Sequence, residues 1–335
     1  DRTEINLVSI PRDSLVDVPQ CETSKGTIPA QYNVMFNSIF AGAYKTGGDL
    51  SSAASCTLNA VNSLTGLNIQ NFIVVDFAGL VKMIDSVGGV DLCIPQNVND
   101  PYTGLNLDKG MHHLDGVAAT QYARIRHGIG DGSDTSRTTR QQYLIKQLMS
   151  EALSKNLFTD TAQLYQLAKS ALKSLNISQG MADTAALAGL AMSLKNFTMT
   201  NLQTQTVPVV PAPSDPNRSV WTDEADNLWE KMRAGKPIFD TADSNSGDSS
   251  DTSSDNSASS DDSGTTDSNQ SDTTAETPDP VTGLITKSDG TLVDPSTGGT
   301  VDPDDGSIHD ATTGQYIGLA DRYLNATVCA VPAKN

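Results

Sequence analysis

Cysteine is scarce in this chain of 335 residues: Cys21, Cys56, Cys93 and Cys329 are the only four, and no two stand at C-x-x-C spacing. That spacing argues against a structural zinc site and leaves two readings open, disulfides or buried thiols with one at the surface. Histidine is equally sparse, and His112, His113 and His127 have no further ligand at suitable spacing, so they read as loop or orienting residues. No apolar run approaches the roughly 20 residues of a membrane span, and no signal peptide is visible. The chain opens without Met inside a strand pattern, Ile5–Ile10, from which upstream residues are expected to have been removed. Basic residues are outnumbered, 22 Lys and Arg against 40 Asp and Glu, and a nucleic acid would meet mostly acidic or neutral surface.

The charge is unevenly spread. Residues 1–239 carry −3 and residues 240–335 carry −15, so the excess acid belongs to the tail. From Thr241 to Pro280 there is no large apolar residue, only Ser, Asp, Thr, Gly, Asn and their like. Such a stretch cannot form a core, and residues 240–280 are expected to be a disordered linker. Residues 281–335 follow with an eight-residue repeat whose units open at Ser288, Ser296, Asp304 and Thr312. Each joins a turn dipeptide to two or three strand-like residues, which suggests a small β-rich hairpin stack. Its aspartates read more readily as solvated turn residues than as calcium ligands, and Thr327-Val-Cys329 beyond it would tie the tail back to the core.

Before the linker, strand and helix patterns alternate, the signature of a layered α/β domain over residues 1–239. Helices are expected at Tyr32–Tyr44, Ser51–Leu64, Gly79–Val87, Leu114–Tyr122, Arg137–Leu153, Asp160–Leu175, Met181–Leu194 and from Thr222 to Ala234. Strands are expected at Asn71–Phe77, Val90–Ile94 and Thr198–Val209.

Four arginines, Arg124, Arg126, Arg137 and Arg140, fall within seventeen residues. The last two open an expected helix whose N-terminal end already carries partial positive charge, so their placement is unfavourable unless an anion arrives. Arginine forks match phosphate oxygens, and several converging forks suit a diphosphate. Arg12 and Asp13 follow a strand end, where ligands bind in α/β folds. Asp131 and Asp134 sit among the arginines, and a carboxylate within a phosphate site serves Mg²⁺. Taken alone, the same residues are equally consistent with surface ion pairs of little worth, Asp134 with Arg137 first.

Five blocks in order, Ser9-Ile-Pro-Arg12-Asp13, Met35-Phe-Asn-Ser-Ile-Phe40, Val87-Gly-Gly-Val-Asp91, Met111-His-His-Leu-Asp115-Gly116, and Tyr122-Ala-Arg-Ile-Arg126 followed by Asp134-Thr-Ser-Arg137-Thr-Thr-Arg140-Gln-Gln142, resemble the LytR-CpsA-Psr family in its actinobacterial type. The resemblance is strong over residues 3–155, loose over 156–239 and does not reach the linker or repeat. It implies a three-layer α/β/α sandwich with a central mixed sheet, tethered outside the cell by an N-terminal membrane anchor that this chain lacks. It also implies an enzyme that moves a glycopolymer from a polyprenyl-pyrophosphate carrier to peptidoglycan or another envelope glycan or glycoprotein. On that resemblance Arg12, Arg124, Arg126, Arg137 and Arg140 hold the diphosphate, Asp134 binds Mg²⁺, and Asp13 and Gln141 are supporting polar residues. Attack by a hydroxyl also calls for a carboxylate to accept its proton, for which Asp13 is the candidate. The family's further Asp and Arg on an earlier strand have no counterpart here. Phe36, Ile39, Phe40, Leu80, Met83, Ile84, Leu144 and Leu148 lie on helices that would flank a lipid channel, although apolar helix faces more often pack as plain core. The actinobacterial resemblance pairs Cys21 with Cys56 and Cys93 with Cys329. Two rivals keep the same residues: a prenyl-pyrophosphate phosphohydrolase with water as acceptor, and a non-catalytic wall-binding protein.

Overall fold

The computed structural model describes residues 4–126, 129, 132, 134–154, 176–178, 180, 189, 192–193, 197–239 and 277–330. The expected helices Asp160–Leu175 and Met181–Leu194 fall almost wholly outside these residues, as do positions 240–276 of the linker, His127 and Asp131.

Strand Ile5–Ser9 runs parallel to Leu202–Thr206, with Ser9 opposite Thr206. This pair delivers the chain into Pro11-Arg12-Asp13 at the C-terminal end of the strand, where an α/β fold leaves room for a ligand. The remaining ladders are antiparallel, among them Val90–Ile94 with Gly110–Leu114 and Val209–Ala212 with Asp215–Trp221. The architecture is mixed α/β. Among the described residues the strands before the linker pair two by two rather than merging into one continuous sheet.

Helix ends follow local chemistry. Asp49, Asp76 and Asp115 cap α2 (Leu50–Thr65), α3 (Phe77–Ser86) and α4 (Gly116–Arg124) by accepting N–H bonds from Ser52, Gly79 and Ala118. Helix α1 (Phe36–Gly47) stops at Gly48, which takes the left-handed conformation at φ 78°. It begins later than expected: Gln31–Met35 is a strand paired with Leu15–Val18, because its Tyr and Val residues fit a sheet edge better than a helix turn. The expected strand at Asn71–Phe77 shrinks to Ile73–Val74, since the Asp76 cap starts α3 at Phe77. Leu114 likewise ends a strand, and α4 starts after the Asp115 cap. Gly116 allows α4 to dock on α3: a Cβ there would strike the carbonyl of Val81 and the carboxylate of Asp85, which accepts the Gly116 N–H at 2.7 Å.

Helix α5 covers Asp134–Ser154, one turn longer at its start than the expected Arg137. Asp134 therefore occupies the first turn, where a carboxylate is favoured by the helix dipole. Helix α6 (Asp223–Arg233) carries three acids in its first turn, and Arg233 donates to the Thr65 carbonyl at 2.6 Å, closing the C-terminal end of α2.

The tail folds as a five-stranded antiparallel meander from Ile285–Thr286 to Tyr316–Leu319. Its turns place Gly283, Gly290, Gly298, Gly306 and Gly314 at φ between 69° and 86°, so the repeat begins a unit earlier than Ser288. Asp279, Asp289, Asp294 and Asp310 accept N–H or O–H bonds within their own turns, which is the solvated-turn reading. These bonds hold the Asp279, Asp289 and Asp310 carboxyls below their ordinary range, backbone donors contributing most. A lowered folded-state pKa gives stability that is present above the unfolded value, near 4, and is lost as pH falls through the folded one. Hydrogen exchange of the meander's turns should therefore quicken below about pH 4 before that of α2, whose single cap is the only comparable carboxylate in that helix. Equal loosening of both would remove these turns as the cause.

The meander is not an appendage. Leu284, Val301, Ile308, Tyr323 and Leu324 share one buried cluster with Ile84, Val90, Leu92, Tyr122, Tyr143 and Leu144. The Tyr143 hydroxyl accepts from the Cys93 N–H at 2.9 Å and donates to Asn325 Oδ1 at 2.6 Å, and Lys146 pairs with Asp321 at 2.6 Å. Both disulfides form as the resemblance implied, Cys21–Cys56 and Cys93–Cys329. Disulfides form and persist in oxidising compartments.

Candidate active site

Arg12 leaves the end of strand Ile5–Ser9, Arg124 and Arg126 leave the end of α4, and Arg137 stands on the first turn of α5. Three separate segments thus bring guanidinium groups together. Two adjoining cavities, of about 380 and 570 Å³, share Arg12, Arg126 and Arg137 as a common wall. Both volumes lie within the range of small-ligand sites.

The first cavity is the carboxylate side. Asp13 and Asp134 converge on Arg12 Nε at 3.2 and 3.4 Å, with side chains 19% exposed. Asp134 also pairs with Arg137, one helical turn away. Burial first, and then the neighbouring charges of Arg126 and Arg12, push the Arg137 guanidinium below its ordinary pKa, against the pull of Asp134. The cations therefore outnumber the acids that hold them, the condition under which a diphosphate is welcome.

The second cavity is lined by Arg124, Gln141, Phe77 and Tyr102 as well as the shared arginines. The Arg124 guanidinium lies over the Phe77 ring, 4.5 Å from its centroid. Gln141 reaches it while donating Nε2 to the Ala123 carbonyl at 3.1 Å.

Arg140 is a correction. It is 3% exposed and lines neither cavity. Its guanidinium donates to the carbonyls of Ile125 at 2.7 Å and Ile129 at 3.3 Å and to Ser136 Oγ at 2.6 Å. Those bonds pin the segment that carries Arg126, so Arg140 braces the site from behind rather than gripping a ligand.

The apolar set also stands apart from the cavities. Leu144 is buried in the cluster shared with the meander, and Leu80 and Leu148 pack against it. Ile84 belongs to the same cluster, and Ile39, Phe36 and Phe40 belong to a second one around α1 and α2. Met83 is half-buried, and it too lines neither cavity. Apart from Met83, these residues serve as core because the helix faces that carry them point inward. His113 bonds Asp91 at 2.6 Å and the Gly88 carbonyl at 2.9 Å, which raise its pKa and fix a turn instead of a metal.

Several lining residues escaped the sequence reading. Arg218 and Gln315 join the carboxylate cavity, and Phe77, Tyr102 and Asp100 the other. Arg218 stands 3.7 Å from Asp13, and its strand is fastened to the Arg12 loop by the Ser219 N–H bond to the Asp13 carbonyl at 3.2 Å. It is an isolated arginine in a loosely patterned stretch, and Gln315 sits in a low-complexity turn, so neither carried a signal. Phe77 did carry one, since it follows a strand end.

The family model LytR_cpsA_psr matches residues 1–234. The chain belongs to the LytR_cpsA_psr family. Among curated relatives of this family, the chain is 29% identical over 216 residues to the cell wall biosynthesis protein LcpA of Corynebacterium glutamicum, covering 62% of this chain and 41% of LcpA. It is 28% identical over 236 residues to TagV of Bacillus subtilis, a polyisoprenyl-teichoic acid–peptidoglycan teichoic acid transferase, covering 68% of this chain and 54% of TagV. The chain thus spans about half the length of the curated relatives it matches. In fold it is similar to the solved protein gbs0355 of Streptococcus agalactiae, with a TM-score of 0.52, 19% identity and coverage of 71% and 78% of the two chains. Relatives in the family are thus named as a cell wall biosynthesis protein and as a transferase of teichoic acid to peptidoglycan. The match stops before the meander, whose Gln315 nevertheless lines the first cavity.

Proposed function

We propose that this protein transfers a glycopolymer, as its phosphate ester, from a polyprenyl-pyrophosphate carrier to a cell-wall acceptor, peptidoglycan or another envelope glycan or glycoprotein. The observation that supports this reading is the wall of Arg12, Arg126 and Arg137 shared by two adjoining cavities, with Asp13 and Asp134 on one side only. A diphosphate lying across that wall meets three forks. The frame we assign is the family's three-layer α/β/α arrangement, held at the outer face of the membrane by an N-terminal anchor. The oxidised cysteine pairs support an extracytoplasmic site. Among the described residues no helix is long and apolar enough to cross a membrane.

The donor set fits Mg²⁺, which takes one or two carboxylates and completes its shell with phosphate and water oxygens. Asp134 would hold it, with Asp13 beside it; among the described residues no cluster of three His, Cys, Asp or Glu exists, so phosphate oxygens must supply the rest. Bound there, the ion would neutralise charge on the diphosphate oxygens.

In the reaction, an acceptor hydroxyl attacks the glycan-side phosphorus in line. The new P–O bond forms as the bond to the prenyl phosphate breaks, and Asp13 takes the hydroxyl proton. Arg12, Arg126 and Arg137 stabilise charge on the departing phosphate. Arg218 draws Asp13 toward the cavity, and Arg140 keeps the Arg126 segment in place. Asp13→Asn is expected to lower kcat by about 10²–10⁴ with little change in donor affinity. The assay is transfer from a short-chain prenyl-diphosphate glycan to added peptidoglycan, with and without chelator. Phosphate release that is indifferent to the acceptor would replace the transferase by a phosphohydrolase; donor binding without turnover would leave a wall-binding protein.

A further inference from the structure

The second cavity combines two kinds of surface. Its lining joins four arginines, Arg12, Arg124, Arg126 and Arg137, to two aromatic rings, Phe77 beneath Arg124 and Tyr102. Tyr102 is 82% exposed and Phe77 56% exposed. Single exposed aromatics are ordinary, but two that line one cavity with four arginines form a composite surface.

The turn that carries Tyr102 is held by bonds that do not depend on its ring. Asp100, 2% exposed, accepts the Tyr102 N–H at 3.1 Å and the Thr103 hydroxyl at 2.9 Å. Its carbonyl accepts the Gly104 N–H at 2.8 Å, and Gly104 closes the turn at φ 78°. A buried, fully engaged carboxylate thus presents Tyr102 to the cavity. The Arg124 stacking orients Phe77 at the start of α3.

We infer that Phe77 and Tyr102 form the subsite for the first sugar ring of the diphosphate-linked glycan. The inference rests on the reading of the arginines as the diphosphate grip. A ring bearing a phosphate ester offers an anion at one end and flat C–H faces at the other, which match arginine forks and aromatic faces respectively. Ala123 is the one aliphatic residue in the lining, so a prenyl chain would find no apolar wall there, whereas a hydroxylated ring also meets Gln141 and Thr103. The arrangement gives the site a direction: the sugar occupies the aromatic side, and the acceptor hydroxyl approaches from the side of Asp13, Arg218 and Gln315.

The test compares three probes by calorimetry on the full chain: inorganic diphosphate, geranyl diphosphate, and geranyl diphosphate bearing N-acetylglucosamine. Tyr102→Ala is expected to weaken the sugar-bearing probe by about fivefold to tenfold and to leave the other two within about twofold. Tyr102→Phe keeps the aromatic face and should bind all three as the parent does. Phe77→Leu should repeat the sugar-selective loss, and unchanged thermal melting of the Tyr102 variants checks that folding is intact. Equal weakening of geranyl diphosphate would assign the rings to the lipid, and unchanged binding of the sugar-bearing probe would remove them from the site; either result overturns the inference. Binding requires no turnover, so a protein that discriminates the sugar but transfers nothing would sink the transferase reading and leave this subsite standing.

Discussion

Arg126→Ala is expected to lower kcat/KM for transfer from a lipid-diphosphate glycan by about 10²–10³, without moving the thermal midpoint. Arg126 is exposed and lines both cavities, so its removal takes charge from the diphosphate and nothing from the core. Arg137→Ala should lose a similar factor. There the effect has two sources, because Asp134 would also be released from its partner one turn away. Arg140→Ala should fail differently. It leaves the buried carbonyls of Ile125 and Ile129 without their charged donor, at a cost of about 2–4 kcal/mol in stability, and lowers activity only through the displaced Arg126 segment. Arg140→Lys cannot restore two divergent bonds from one ammonium, so it should remain destabilised. Measuring melting and turnover together separates the two classes. If Arg126→Ala turns over normally, the shared wall does not grip the substrate.

How far the sequence reached is clear from these same residues. That Arg12, Arg124, Arg126, Arg137, Asp13 and Asp134 gather around two adjoining cavities was legible, because charge placed against local electrostatics leaves a mark in a linear pattern and the family blocks fix its order. Arg140 was misread since its i, i+3 relation to Arg137 says only that both share a helix face. Whether a face meets a cavity or a carbonyl-rich loop is decided by how α5 seats against the segment Ile125–Ile129, which is a tertiary matter. The lipid-facing leucines failed for a related reason: an amphipathic stripe reports that something covers it, not what. Here the cover for Leu144 comes from Leu324 and its neighbours, in the tail beyond the short repeat. The cap aspartates, by contrast, were local, and α2 and α6 began and ended within a residue or two of expectation.

That cover leads to the second large effect. A chain ending at residue 239 should not behave as a trimmed enzyme. It should lose cooperative unfolding or aggregate, because Ile84, Val90, Leu92, Tyr143 and Leu144 would face water where Tyr323, Leu324 and Val328 now lie. The bond between Cys93 and Cys329 spans 236 residues of sequence, and restricting so long a loop in the unfolded chain is worth about 3–5 kcal/mol. Cys93→Ala with Cys329→Ala is therefore expected to shift the urea midpoint strongly, while Cys21→Ala with Cys56→Ala, whose loop spans 35 residues, shifts it less. Reductant should move the parent's midpoint toward that of the Cys93 and Cys329 double variant. The functional consequence follows from α5, which carries Arg137 on its first turn and Tyr143 and Lys146 further along, both fastened to the tail through Asn325 and Asp321. Loosening the tail should thus raise KM for the donor before the protein unfolds, measurable at urea concentrations below the transition. A truncated chain that melts cooperatively at the parent's midpoint and keeps its KM would show the meander to be a passenger, and the shared core would then have to be redrawn.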